Sequence, residues 1–165
     1  MAATVNIVER SGSGSTWTAK DSGTVRFKNA NDFNVDSNNP MVIPGSGSDW
    51  SFEKWLCLRI GGTRPADNIS NIRVYSDGAN GFGTGINVWA RSVAAFSSPA
   101  EPTTNTGLTD FFTFTSGSPL ALAGGPFSGT SSFVGSHVVL AMEVASTATV
   151  GALSVEAITF LYDEI

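Results

Sequence analysis

In the run Trp50-Ser51-Phe52-Glu53-Lys54-Trp55-Leu56-Cys57-Leu58-Arg59-Ile60, the even positions read Trp, Phe, Lys, Leu, Leu, Ile. Only Lys54 breaks the alternation. A repeat of two is the period of a strand, whose successive side chains point to opposite faces, so this segment predicts one long, half-buried strand. The same period recurs at Ser136–Ala145, where Val138, Leu140, Met142 and Val144 share a face, and at Gly85–Arg91, where Ile86, Val88 and Ala90 do. Shorter candidates are Thr4–Glu9, Thr24–Lys28 and Ile69–Tyr75. Leu153–Tyr162 changes parity midway, which predicts a bulge or burial on both faces.

Gly, Ser, Pro and Asn clusters separate these runs, at Ser11–Ser15, Asn38–Ser48, Gly61–Asn68, Asp77–Gly85, Ser97–Gly107 and Ser116–Ser132. No segment repeats apolar residues at helical spacing over three turns. The expected fold is therefore all-β: an antiparallel β-sandwich or jelly roll with long Gly/Ser/Pro-rich loops and little or no helix. Residues 16–165 are expected to form one such domain, preceded by an N-terminal strand or arm over residues 1–15. The loops between Ser92 and Ser136 are long for a compact domain, and loops of that length tend to be functional or to belong to an interface.

Composition narrows the function. The chain has 165 residues, 9 Lys+Arg against 14 Asp+Glu and a net charge of -5, and only 14% of its residues are charged. An acidic chain with three lysines is a poor match for a phosphate backbone, so nucleic acid is not expected as a partner. A membrane is not expected either, because no apolar run is long enough to span one. The opening Met-Ala-Ala-Thr-Val-Asn has neither a basic start nor a following apolar stretch, which predicts synthesis without a secretory signal. A single cysteine, Cys57, excludes an intrachain disulfide.

Catalytic chemistry finds little to work with. His137 is the only histidine and lies in a predicted strand, no Gly-x-Ser-x-Gly elbow is present, and one Cys with one His cannot make a zinc shell of nitrogen and sulfur. Glu53, Glu101, Glu143 and Glu156 are available for glycoside chemistry, but sequence spacing in a β-protein does not show whether any two come within reach. No enzyme activity and no cofactor are expected. Asp32, Asn34 and Asp36 place side-chain oxygens at every second position, as a calcium loop begins. Ser37 and Ile43 then stand where such a loop needs Gly and Glu, and the other reading is a turn in which Asn and Asp bond their own backbone.

One pattern stands out. The outward rows of three successive strands read Trp55, Cys57, Arg59, then Asn71, Arg73, Tyr75, then Asn87, Trp89, Arg91. Each row holds an aromatic ring and an arginine, residue types enriched at protein–protein hot spots. If the strands are neighbours, Trp55, Arg59, Arg73, Tyr75, Trp89 and Arg91 form one docking face. A carbohydrate platform uses aromatic rings as well, so carbohydrate is a second ligand class. The alternative is that a second sheet, or the loops after Ser92, covers this face.

Two stretches resemble known proteins. Arg73-Val74-Tyr75-Ser76-Asp77-Gly78 running into Gly81-Phe82-Gly83-Thr84-Gly85-Ile86-Asn87-Val88, and Val138–Thr149 followed by Thr159–Ile165, are similar to tailed-bacteriophage virion structural proteins, most of all head decoration (cement) proteins. The resemblance implies a β-rich protein made in the host bacterial cytoplasm that becomes part of the virion. It would bind the major capsid protein on the outer surface of the expanded shell and bridge capsomers, with a homotrimer favoured. No catalytic residue transfers with it. The segment Met1–Ser15, through Val5 and Ile7, is then a candidate arm for pairing with a neighbour's sheet edge. A tail structural subunit and a carbohydrate-binding adhesion module displayed on the virion are the other two expectations.

Overall fold

The computed structural model describes residues 4–13, 16–61, 66–130, 132–151 and 153–164. Within them the chain forms eleven strands and a single turn of 3-10 helix, all pairings being antiparallel. The strands are β1 (Thr4–Arg10), β2 (Trp17–Ala19), β3 (Ser48–Trp50), β4 (Lys54–Gly61), β5 (Ala66–Tyr75) and β6 (Ile86–Val93). The series continues with β7 (Thr109–Asp110), β8 (Leu120–Ala121), β9 (Phe127–Gly129), β10 (Ser132–Ala145) and β11 (Thr159–Glu164). The 3-10 turn is Phe111–Thr113, capped by the Asp110 carboxylate accepting from the Phe112 amide.

Two sheets result. The larger runs β2-β1-β4-β10-β6-β7, with β3 also on β10, and the smaller runs β11-β5-β8 with β9 also on β5. The alternation dictates how they pack. Leu56, Leu58 and Ile60 of β4, Val138, Leu140, Met142 and Val144 of β10, and Ile86, Val88 and Ala90 of β6 face Ile69, Ile72 and Val74 of β5 in one buried cluster. This is the all-β sandwich that the periodicity predicts.

Several elements differ from expectation. Thr24–Lys28 is irregular, and its cluster-facing Val25 and Phe27 reach the core without a ladder. Of Leu153–Tyr162, only the part from Thr159 on is strand, and its pairing irregularity lies between Leu161 and Asp163. Short strands β2, β7, β8 and β9 occupy stretches that look like loop in the sequence, because two or three residues give too little alternation to read.

β4 is not half-buried. It is covered on both faces, with Trp55 1% and Cys57 0% exposed. Lys54, the break in its alternation, points into the core side at 2% exposure, its Nζ 3.3 Å from Glu9 Oε1 and 2.6 Å from the Asp32 carbonyl. Glu9 also meets Lys20 Nζ at 3.2 Å. Burial pulls the Lys54 pKa below its ordinary value, and the nearby Glu9 carboxylate opposes that pull.

The expected arm is an internal strand over Thr4–Arg10. It pairs with β4 from Thr4↔Gly61 to Arg10↔Trp55 and with β2 on its other side, and Val5 and Ile7 pack against the core. Residues 1–3 and 14–15 of that arm, residues 62–65 of the Gly61–Asn68 turn, Ser131 and Ile165 lie outside the described residues.

β10 carries a bulge where its register on β4 jumps between Val134 and Val138. Gly135 makes that bend at φ +75°, with Ile72 Cδ1 only 2.7 Å from where a Cβ would stand.

Candidate functional site

The three outward rows do not form one surface. β4 and β6 are separated by β10 in the large sheet, and β5 belongs to the other sheet. Trp55 and Arg59 therefore lie on the outer face of the large sheet, Trp89 and Arg91 lie on the same face two strands away, and Arg73 and Tyr75 lie on the small sheet.

On the large sheet, the register brings Arg10 opposite Trp55, with Trp17 opposite Arg10 and Phe133 opposite Arg59. The segment after Ser92 then folds over this row. Phe96 stands edge-on to Trp55 at 5.4 Å and 5.9 Å from the His137 ring, and His137 is 5.6 Å from Trp55. The Arg10 guanidinium lies over both Phe96, at 4.1 Å, and Phe133, at 4.2 Å.

Glu53 fastens the cover. Its Oε2 accepts from Trp55 Nε1 at 3.0 Å and from the Ala100 amide at 3.2 Å, and its Oε1 accepts from Arg91 at 2.6 Å. Trp55 is thus interior, and Arg91 serves partly as a tie. At the rim, Trp17 is 40% exposed, with Arg59 stacked 4.5 Å over its ring and Phe133 edge-on at 6.4 Å. Trp89 is half-buried, and its indole N–H donates to Glu143 Oε2 at 2.8 Å, while Ser48 donates to the other Glu143 oxygen.

Cys57 and His137 contribute a thiol and an imidazole to this face. Burial pushes the Cys57 thiol up to about 12, so it stays protonated. Burial, then the neighbouring Arg10 charge, lowers the His137 pKa. Arg10 Nη1 sits 3.1 Å from His137 Nε2, and since a guanidinium only donates, Nε2 is the acceptor. Of the four glutamates considered for glycoside chemistry, Glu53 and Glu143 are bound as above, Glu156 lies beside the Ser154 hydroxyl at 3.4 Å, and Glu101 is exposed.

The small sheet keeps an open face. Arg73 stands beside Leu161 and Ala121 in register, and Tyr75 stands beside Thr159. Asp163 orients the arginine: its Oδ1 accepts from Arg73 Nη2 at 3.2 Å and its Oδ2 from Asn71 Nδ2 at 2.8 Å, while Arg73 Nε donates to the Asn71 carbonyl at 3.0 Å. Leu161 is 43% exposed beside it. No family model, curated protein or solved structure matches this chain. The geometry alone therefore ranks its surfaces, and an oriented guanidinium flanked by an aromatic ring and an exposed Leu is the arrangement best suited to bind a protein partner. Leu161 is absent from the sequence-derived set because its strand looks parity-shifted there.

The oxygen-rich loop already holds a cation. Lys28 Nζ, from a side chain 1% exposed, lies 2.8 Å from Asp36 Oδ1 and 3.2 Å from Asp32 Oδ1. Asp32 and Asp36 also accept from the amides of Asn34 and Asn38, each 2.9 Å away, the Asx turns of the second reading. The bond to Lys28 lowers the Asp36 pKa, and the bond to Asp36 raises that of Lys28. Among the described residues, no group of three His, Cys, Asp or Glu side chains is placed to hold a metal ion.

Proposed function

We propose that this protein is a non-enzymatic structural component of a phage virion that docks on the outer surface of the capsid shell through the open face of its small sheet and bridges neighbouring capsomers. The observation that carries the reading is the Arg73–Asp163 clamp beside Tyr75 and the exposed Leu161. The sequence resemblance over Arg73–Gly78, Gly81–Val88, Val138–Thr149 and Thr159–Ile165 points to the same class, and β5 and β11, which bear the clamp, lie in or next to those stretches.

Cementing works by linkage. A protein that binds only the expanded lattice lowers the free energy of that lattice, and a symmetric oligomer, here a homotrimer, multiplies modest contacts to the major capsid protein. Pre-orienting Arg73 removes part of the entropy cost of each contact.

The test is co-sedimentation of the purified chain with expanded, undecorated shells of the encoding phage. Saturable binding that raises the shell's rupture temperature is the expected result. Leu161→Asp and Arg73→Glu should each abolish binding while leaving the protein's own melting temperature within a few degrees. Failure of the wild-type chain to bind, or full binding by both variants, overturns the proposal. The carbohydrate reading loses Trp55, which is buried, and rests on half-buried Trp89 beside Asn87; glycan binding abolished by Trp89→Ala would replace the proposal with that one.

A further inference from the structure

A cavity of about 990 Å³ opens between the inner face of the large sheet and the loops that lead into and out of it. Half-buried Ile7 of β1 borders it, and Leu56 of β4, Val88 of β6, and Leu140, Met142 and Val144 of β10 lie beneath it as packed core, none more than 4% exposed. Half-buried Phe27, Phe82 and Phe160 form its walls, with buried Phe111 and Phe112 behind them. Seven large apolar side chains are exposed among the described residues, and four of them, Val42, Val150, Leu153 and Val155, border this opening. Ligand cavities in proteins span roughly 300–1,000 Å³ and combine an apolar lining with few polar groups, and this cavity has both properties.

The charges at the mouth are unequal. Asp21 is engaged, its carboxylate accepting from Asn6 Nδ2 and the Ile7 amide. Lys20 Nζ is engaged with Glu9 and with the carbonyls of Thr24 and Phe33. Glu156 lies beside Ser154. Arg26 borders the cavity, is exposed, and has no acidic partner among the described residues.

The floor also limits what can enter. Of the strands beneath the cavity, β4 and β10 have neighbours on both sides, whereas β2 covers only Val8–Arg10 of β1 and β7 only Trp89–Ala90 of β6. Over β4 and β10 an inserted peptide would find no free strand edge to satisfy its backbone, whereas an alkyl chain needs no hydrogen bond.

We propose that this cavity binds a single-chain amphiphile with an anionic head group, the chain lying among the phenylalanines and the head on Arg26. Dodecanoate, titrated into the full chain below its micelle concentration in a calorimeter, is the probe. One-to-one binding is expected, together with shifts of the Met41 and Met142 methyl resonances, since both side chains line the cavity. Arg26→Ala should weaken dodecanoate about tenfold, as loss of one charge-assisted contact does, and leave dodecanol binding unchanged. Dodecyltrimethylammonium should bind no better than dodecanol.

Absence of binding overturns the proposal, as does binding without methyl shifts, which is surface adsorption. Equal affinity of wild-type and Arg26→Ala protein for dodecanoate removes the head-group assignment and overturns it as well. Light scattering during the same titration covers the remaining occupant: an oligomer that dissociates as dodecanoate enters would mean that a second copy fills the cavity, against the proposal.

Discussion

Arg10 and His137, 127 positions apart in the chain, meet through a 3.1 Å contact in which the guanidinium donates to Nε2 of the imidazole. Protonating that ring would replace its acceptor with a second donor beside a fixed positive charge. Burial and Arg10 hold the His137 pKa below its ordinary 6.5, with the Val93 and Ala94 backbone partly opposing. The folded state therefore binds this proton less readily than the unfolded chain. The stability so conferred is present in full above pH 6.5 and declines as pH falls from there through the folded-state pKa. Chemical denaturation between pH 8 and 5 should show that decline, and His137→Gln should flatten it. An unchanged slope in the variant would assign the dependence to other groups.

Glu53 is the tie between sheet and covering segment. Glu53→Ala leaves the buried Trp55 indole N–H and the part-buried Ala100 amide without that acceptor, a loss of about 2–4 kcal/mol. Trp55 should also become solvent-exposed as Phe96 lifts, which a red shift of tryptophan emission in the folded protein would report. Glu53→Gln keeps one acceptor oxygen and should cost less.

Lys28 stands as the internal cation of the Asp32–Asp36 loop. Calcium at millimolar concentration should leave the wild-type melting temperature unchanged. Lys28→Ala should lower it by leaving two carboxylates facing each other, and calcium should restore part of the loss. A calcium-dependent rise in the wild type would contradict this reading of the loop.

The β10 bulge depends on a glycine. Gly135→Ala places a methyl group against Ile72 Cδ1 in a left-handed conformation, and should cost about 1–3 kcal/mol by denaturant titration. A neutral substitution would mean that β10 can re-register without the bulge.

Cys57 is fully buried and its thiol titrates at about 12, so it should resist a thiol reagent at pH 8 in the native protein. Its labelling rate should then follow global unfolding, rising with denaturant as the unfolded population does.

The local pattern of the chain was sufficient to identify the strands that build the core. Leu56, Leu58, Ile60, Val138, Leu140, Met142 and Val144 alternate with other residues because a strand has two faces, and that property is written into neighbouring positions. The turn role of Asp32 and Asp36 is local in the same sense, since an Asx turn spans two residues. What covers each second face is not local. Trp55, Arg59, Trp89 and Arg73 look alike in sequence, yet Phe96 and Arg10 bury the first, Trp17 lines the second, Glu143 holds the third and Asp163 orients the fourth. Those partners come from as far as 90 residues away, and their arrival depends on sheet order, which alternation does not encode. The same holds for the cavity. Phe27 and Phe160 lie in stretches that read as strand and Phe82, Phe111 and Phe112 in stretches that read as loop, and only the packing of two sheets with their loops brings them around one space.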